Sequence, residues 1–280
     1  MALNASQIGV CSWSLKPKSA QDLVEQLKLV DLKTIQLSLS GLVKNEPAWA
    51  DSARVFKDAG ITIASGMIGN VGEDYTTLET IRETGGVILD KHWDQNWANA
   101  QAAARVAQSL GLTKVSTHAG FLVDDQNDPI FKKLFSRLKQ IADMFKDHGL
   151  ELVFETGQET ADTLSKFLDA LEAAGTHNVR VNFDPANMIL YGKGDPIASL
   201  RKLLPRVSQV HIKDAVSTQV KGTWGKEVAA GKGEVDWPAF IGILKEADFK
   251  GGLIIEREAG ETRIEDVKTA AALIANLIKG

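Results

Sequence analysis

The chain contains a single cysteine, Cys11, in 280 residues. An internal disulfide is therefore excluded, and the composition suits a reducing compartment. Basic charge is not in excess: the formal net charge is −4. That argues against a nucleic-acid partner, which requires a basic face. Long apolar runs are missing too. None approaches the roughly 20 residues that span a bilayer, and Met1–Gln7 carries no charged segment followed by an apolar core. No membrane partner is expected, and the expected location is the cytoplasm. Low-complexity segments and repeats are absent beyond a recurring strand–helix rhythm. What remains is 44% hydrophobic and 24% charged residues, the composition of a globular enzyme or binding protein.

The rhythm predicts strands over Ile8–Trp13, Thr34–Ser38, Ile61–Ser65, Lys114–His118, Leu150–Glu155, Val179–Asp184, Val207–His211 and Leu253–Glu256. Predicted helices lie between them, near Ser19–Val30, Ala48–Ala59, Asp74–Glu83, Asp94–Leu110, Pro129–His148, Glu159–Ala174, Pro196–Leu204 and Pro238–Ala247, and a last one spans Arg263–Lys279. Most strands are continuous apolar runs, the mark of a parallel sheet covered by helices. Eight such units of roughly 30 residues predict a (β/α)8 TIM barrel, one domain over residues 1–280. A doubly wound open sheet would need a second lobe or a composition break, and neither is seen.

Four consecutive strands end on residues that bind hard or borderline cations: Glu155, Asp184, His211 and Glu256. Pro185 stops the sixth strand immediately after Asp184, because proline has no N–H to continue a ladder. In a TIM barrel the strands' C-terminal ends carry the active site. Alternation then places Asn182 beneath Asp184 and Gln209 beneath His211, as partners that orient the ligands. Ser116 and His118 point inward together, as do Gln36 and Ser38. Carboxylates with one imidazole suit a single divalent ion, Mn²⁺ first, with Mg²⁺, Co²⁺ or Zn²⁺ as alternatives. The bland reading makes each residue a solvated strand end; four neighbouring strands ending alike argue against it.

The segments Phe154-Glu155-Thr156, Asn182-Phe183-Asp184-Pro185-Ala186-Asn187, Val210-His211-Ile212-Lys213-Asp214, Gly231–Trp237 and Ile255-Glu256-Arg257-Glu258 resemble the xylose-isomerase-like TIM-barrel superfamily, and within it the sugar phosphate isomerase/epimerase group. The resemblance covers essentially the whole chain. It implies that Glu155, Asp184, His211 and Glu256 hold one divalent metal and that Glu155 and Glu256 are the acid/base pair. Asn187 departs from the pattern, standing where many epimerases of the superfamily carry histidine. Apurinic endonucleases of this fold need further histidines, which the 222–237 loop lacks.

The expected activity is a metal-dependent isomerase or epimerase of a sugar, keto-sugar or inositol-like substrate, by proton transfer next to a carbonyl. The alternative is a lyase that dehydrates a keto-polyol or keto-glycoside on the same site; a non-catalytic sugar-binding barrel fits the intact ligand set less well. Expected substrate contacts are His118, Lys213, Trp13 and Asn187, with Trp93 a second candidate for an apolar wall. His118 reads as a substrate contact ahead of a satisfied rim histidine, whereas Lys213 reads equally as a phosphate or oxyanion contact and as a rim lysine. His148 and His177 precede strands and receive no role. The Gly192/Gly194 and Gly231/Gly233 pairs are too short for phosphate loops. The expected partner is a small carbohydrate, and a homo-oligomer is compatible with the sequence.

Overall fold

A computed structural model describes residues 3–280. Met1 and Ala2, part of the Met1–Gln7 reading, lie outside the described residues. Eight parallel strands close into a barrel: Ile8–Cys11, Thr34–Ser38, Thr62–Met67, Lys114–His118, Glu151–Glu155, Val179–Phe183, Val207–Ile212 and Gly252–Ile255. They are called strands 1 to 8 below. Strand 1 lies between strands 8 and 2, so the ends of the sheet meet. No helix among the described residues is long and apolar enough to cross a membrane.

Helices cover the barrel because each carries an apolar stripe. In Ala20–Val30, Leu23, Val24, Leu27 and Val30 are buried on one face. Ser19 caps this helix by accepting from the Asp22 N–H. Between strand 5 and its neighbouring helices the seam is aromatic: Phe167 meets Phe131 and Phe154 at centroid distances of 5.3 and 6.4 Å.

Several boundaries differ from the sequence reading. Strand 1 stops at Cys11, and Ser12–Leu15 forms a 3-10 turn that swings Trp13 towards the barrel mouth. Strand 3 runs on to Met67 because it pairs with both strands 2 and 4. The helix expected over Ala48–Ala59 is split into a turn, Pro47–Trp49, and a helix, Ser52–Asp58. The Ser52 hydroxyl donates to the Trp49 carbonyl at the break. Thr77 and Thr160 cap the next affected helices, which begin at Leu78 and Ala161. A short helix, Pro185–Leu190, follows Asp184 directly; proline suits its first turn.

The long loop after strand 7 holds a small antiparallel pair, Asp214–Val216 with Lys226–Val228. Asp214, wholly buried, ties it down. Its carboxylate accepts from the N–H groups of Ala215, Gly231, Gly233 and Val235 and from the Trp237 indole. A Cβ on Gly233 would stand 2.1 Å from the Asp214 carboxylate, so the Gly231/Gly233 pair wraps a carboxylate of the chain itself. Asp214→Ala strands these buried donors and should cost about 3–5 kcal/mol. The check is thermal unfolding together with limited proteolysis; a wild-type melting temperature and an uncut loop 214–237 would refute the anchoring role.

Candidate metal centre

Strands 5 to 8 deliver Glu155, Asp184, His211 and Glu256 to one point, as their positions at consecutive strand ends require. All four are buried, and one ligand atom from each lies within 4.8 Å of the others. His211 Nδ1 is 3.5 Å from Glu155 Oε1, 3.4 Å from Asp184 Oδ2 and 3.4 Å from Glu256 Oε2.

The ring's other nitrogen sets its orientation. Gln36 Oε1 lies 2.7 Å from His211 Nε2. A carbonyl oxygen only accepts, so this contact calls for a proton on Nε2, whereas the Asn182 amide nitrogen beside it is a donor and competes for the same atom; with Nε2 held between them, Nδ1 faces the carboxylates. The Asn182 amide is 2.9 Å from the same nitrogen, as its place beneath Asp184 anticipated. Gln209 differs from expectation: its amide donates to Asn182 Oδ1 and accepts from the Ser65 hydroxyl, without touching any of the four. Gln36→Leu should therefore weaken metal binding about 10–100-fold, with Gln209→Leu costing clearly less. Titration with Mn²⁺ measures both; equal losses would contradict the ordering.

Glu155 and Glu256 stand in unlike surroundings. Glu256 accepts from Trp13 Nε1 at 2.8 Å and from Lys213 Nζ at 2.8 Å. Burial alone would raise its pKa, but Lys213 and His211 outweigh it and hold the carboxyl well below the usual range. Glu155 Oε1 accepts from Asn187 at 2.9 Å, while its buried Oε2 has no partner. Burial opposes its ionisation as well, and His211 prevails over it, so its pKa is also lowered. Asp184 caps the following helix by accepting from the Asn187 N–H. There burial prevails and the pKa is raised.

Lys213 is buried, and its ammonium donates to Glu256, Glu258 and Asn187 at 2.8–3.2 Å. Burial disfavours its charge, yet Glu256, Glu258 and Asp184 raise its pKa well above normal. Asn187 is equally committed: its amide spans Glu155 and the Thr156 carbonyl on one side and Lys213 on the other. His211 is raised too, since Glu256 and Glu155 overcome the effect of burial. Cys11, 3.6 Å from Nε2, stays a neutral thiol because burial pushes its pKa up.

This donor set fits a divalent cation. Three carboxylates gathered in a buried space repel one another unless positive charge lies among them. An ion about 2.1 Å from each ligand separates neighbouring ligands by about 3.0–3.4 Å. The spacings around His211 Nδ1 match that closely, and the partnerless Glu155 Oε2 is a further open donor. Loading an ion would displace the Nδ1 proton from His211.

Above the cluster is a cavity of 520 Å³, lined among others by Trp13, Tyr75, His118, Tyr191, Trp224 and Glu258. His118 sits at the tip of strand 4 beside Glu155 on strand 5. Burial disfavours its imidazolium, but Glu155 and Glu73 outweigh that and raise its pKa. Trp93 stacks on Trp97 beneath Arg137 and does not line this cavity. Trp13 does, with its ring edge-on to His211. The sequence reading missed Glu258 and Glu227. The Glu-x-Glu alternation at 256 and 258 signalled the first. Nothing local signalled Glu227, whose carboxylate ties the loop to Arg257 and to the Glu258 and Ala259 N–H groups.

Comparison with known proteins agrees with this architecture. The model of the family described as xylose isomerase-like TIM barrel matches residues 30–277. A crystal structure of a xylose isomerase domain protein from Planctomyces limnophilus is 30% identical over 91% of each chain, with a TM-score of 0.81. An inosose dehydratase of Clostridium tetani is 25% identical over 166 residues, 52% of this chain and 54% of that protein. The chain thus spans about half the length of the curated relatives it matches. A Mycobacterium smegmatis barrel protein solved in complex with magnesium shares the fold at 18% identity, covering 94% of this chain and 90% of that one, with a TM-score of 0.68.

Proposed function

This chain belongs to the xylose isomerase-like TIM-barrel family, and from that premise we propose that it is a metal-dependent enzyme transferring a proton next to the carbonyl of a keto-sugar or keto-polyol. The observation that carries this reading is the buried Glu155, Asp184, His211 and Glu256 cluster opening into a cavity. Those four residues would hold Mn²⁺, with Mg²⁺, Co²⁺ or Zn²⁺ as alternatives; the magnesium of the mycobacterial relative supports a divalent ion in general. A divalent ion held there would act as a Lewis acid, polarising the carbonyl and making the adjacent C–H more acidic.

Glu155, with one oxygen unpartnered, takes the proton. The returning proton defines the outcome. Delivery to carbon by Glu256 gives an isomer or epimer. Glu256, however, is held ionised by Lys213 and Trp13 and is poorly suited to donate. His118, whose pKa Glu155 and Glu73 raise against the effect of burial, stands beside Glu155. A second reading follows from that asymmetry and from the inosose dehydratase relatives: His118 protonates a β-hydroxyl, which leaves as water while the C–H electrons form the double bond. Trp13 walls the site, and Lys213 and Asn187 hold the two glutamates in place.

The test is incubation in heavy water with Mn²⁺ and, separately, 2-keto-myo-inositol and a panel of ketohexoses. Solvent deuterium should enter the carbon beside the carbonyl, or water should be lost, and chelation should abolish both. Hydrogen transfer without solvent exchange or water loss would overturn the proton-transfer reading.

A further inference from the structure

Beyond the cavity over the metal cluster, Tyr191 is shared with a second concavity of 420 Å³. The Tyr191 ring stands edge-on to Trp224 at 4.9 Å and to Phe121 at 5.9 Å, so an aromatic strip runs from one space into the other. At its far end Lys193 Nζ lies 5.2 Å over the Phe121 ring, and Arg82 lines the same concavity. Among the described residues neither cation makes an ion pair within 4 Å. Burial lowers the Lys193 pKa, Glu159 opposes that, and repulsion by Arg82 adds to it.

The surroundings do not cancel this charge. Of the walls only Glu79, exposed at the rim, has a carboxylate. Glu159 lies buried nearby, and burial pushes its carboxyl up to about 8 against the pull of Lys193, so it is largely protonated at neutral pH. Two cations lining one concavity beside aromatic faces, with no carboxylate within 4 Å of either among the described residues, form a receptor for an anion.

We propose that this concavity is a second substrate subsite, in which Lys193 and Arg82 bind a carboxylate or phosphate at the far end of the substrate. It rests on the reading that the substrate's keto group reacts at the metal cluster, and it makes the substrate an acidic keto-sugar or keto-polyol. Lys193 and Arg82 then favour an acidic substrate over a neutral one.

The test uses the metal-free full chain, so that no anion is held by an ion at the cluster. Lys193 is labelled with acetic anhydride alone and in the presence of inorganic phosphate, D-fructuronate or D-fructose, and mass spectrometry reads the labelling rate against exposed Lys57. An anion at ten times its dissociation constant should slow labelling of Lys193 about tenfold. D-fructose should not, and Arg82→Ala, an exposed position, should remove the protection. Protection by phosphate alone marks a phosphorylated substrate, and by D-fructuronate alone an acid sugar. No protection by either anion overturns the subsite. So does equal protection by D-fructose, or protection that survives Arg82→Ala. Mn²⁺ titration of wild type and of Asp184→Asn is read separately: if Asp184→Asn binds as wild type does, the metal reading fails whatever Lys193 shows.

Discussion

Replacing Glu155 with glutamine lowers turnover about 100- to 10,000-fold, the range for losing a positioned base. The amide oxygen can still accept from Asn187, which bonds Glu155 Oε1 at 2.9 Å, so the local geometry survives. What disappears is a group able to take the proton. Glutamine also has no charge to offer a cation, so turnover is compared at saturating Mn²⁺, with affinity measured separately. The decisive reading is hydrogen exchange: Glu155→Gln should no longer wash substrate hydrogen into heavy water. Glu256→Gln should keep that exchange, since its carboxylate is occupied by Trp13 and Lys213. Wild-type exchange in Glu155→Gln would remove it from the role of base and leave it a metal ligand only.

Lys213→Met should cost as much stability as Asp214→Ala, and here the loss depends on pH and on bound metal. Its ammonium is 4% exposed and lies 2.8 Å from Glu256, 2.9 Å from Glu258 and 3.7 Å from Asp184. Removing one partner of a buried ionic group leaves the others uncompensated, at about 3–5 kcal/mol. For the metal-free protein this lowers the melting temperature by roughly 5–15 °C. Bound Mn²⁺ supplies positive charge at the same carboxylates and should narrow the gap. The pH dependence has a definite sign. Glu256 has a folded pKa held well below 4.5 by Lys213 and His211, so it contributes stability above 4.5 that is lost as pH falls through the folded value. The wild-type advantage over Lys213→Met should therefore be greatest at neutral pH and shrink in acid. A difference independent of pH would mean that methionine is penalised for its packing rather than for the missing charge.

Much of this molecule could be read from local pattern. Eight apolar runs separated by capped amphipathic helices specify the barrel, because two-sided burial demands continuous hydrophobicity and helices demand a 3.6-residue stripe. Proline after Asp184 and the period of two in each strand put Glu155, Asp184, His211, Glu256 and Asn182 at the same mouth. Those are one-strand statements, and backbone geometry alone enforces them. Other features only closure of the barrel could decide. Gln36 reaches His211 across 175 residues and the Trp13 indole reaches Glu256 across 243. Such contacts depend on which strands face one another and on how far a turn swings a side chain, and neither has a local signature. The same holds for Asn187, whose amide joins Glu155 to Lys213 only because the short helix after strand 6 folds back over the strand ends. Sequence determined which groups stand at the mouth; tertiary structure decided that the two glutamates are unequal, because each carboxylate's basicity depends on the charges that folding places beside it.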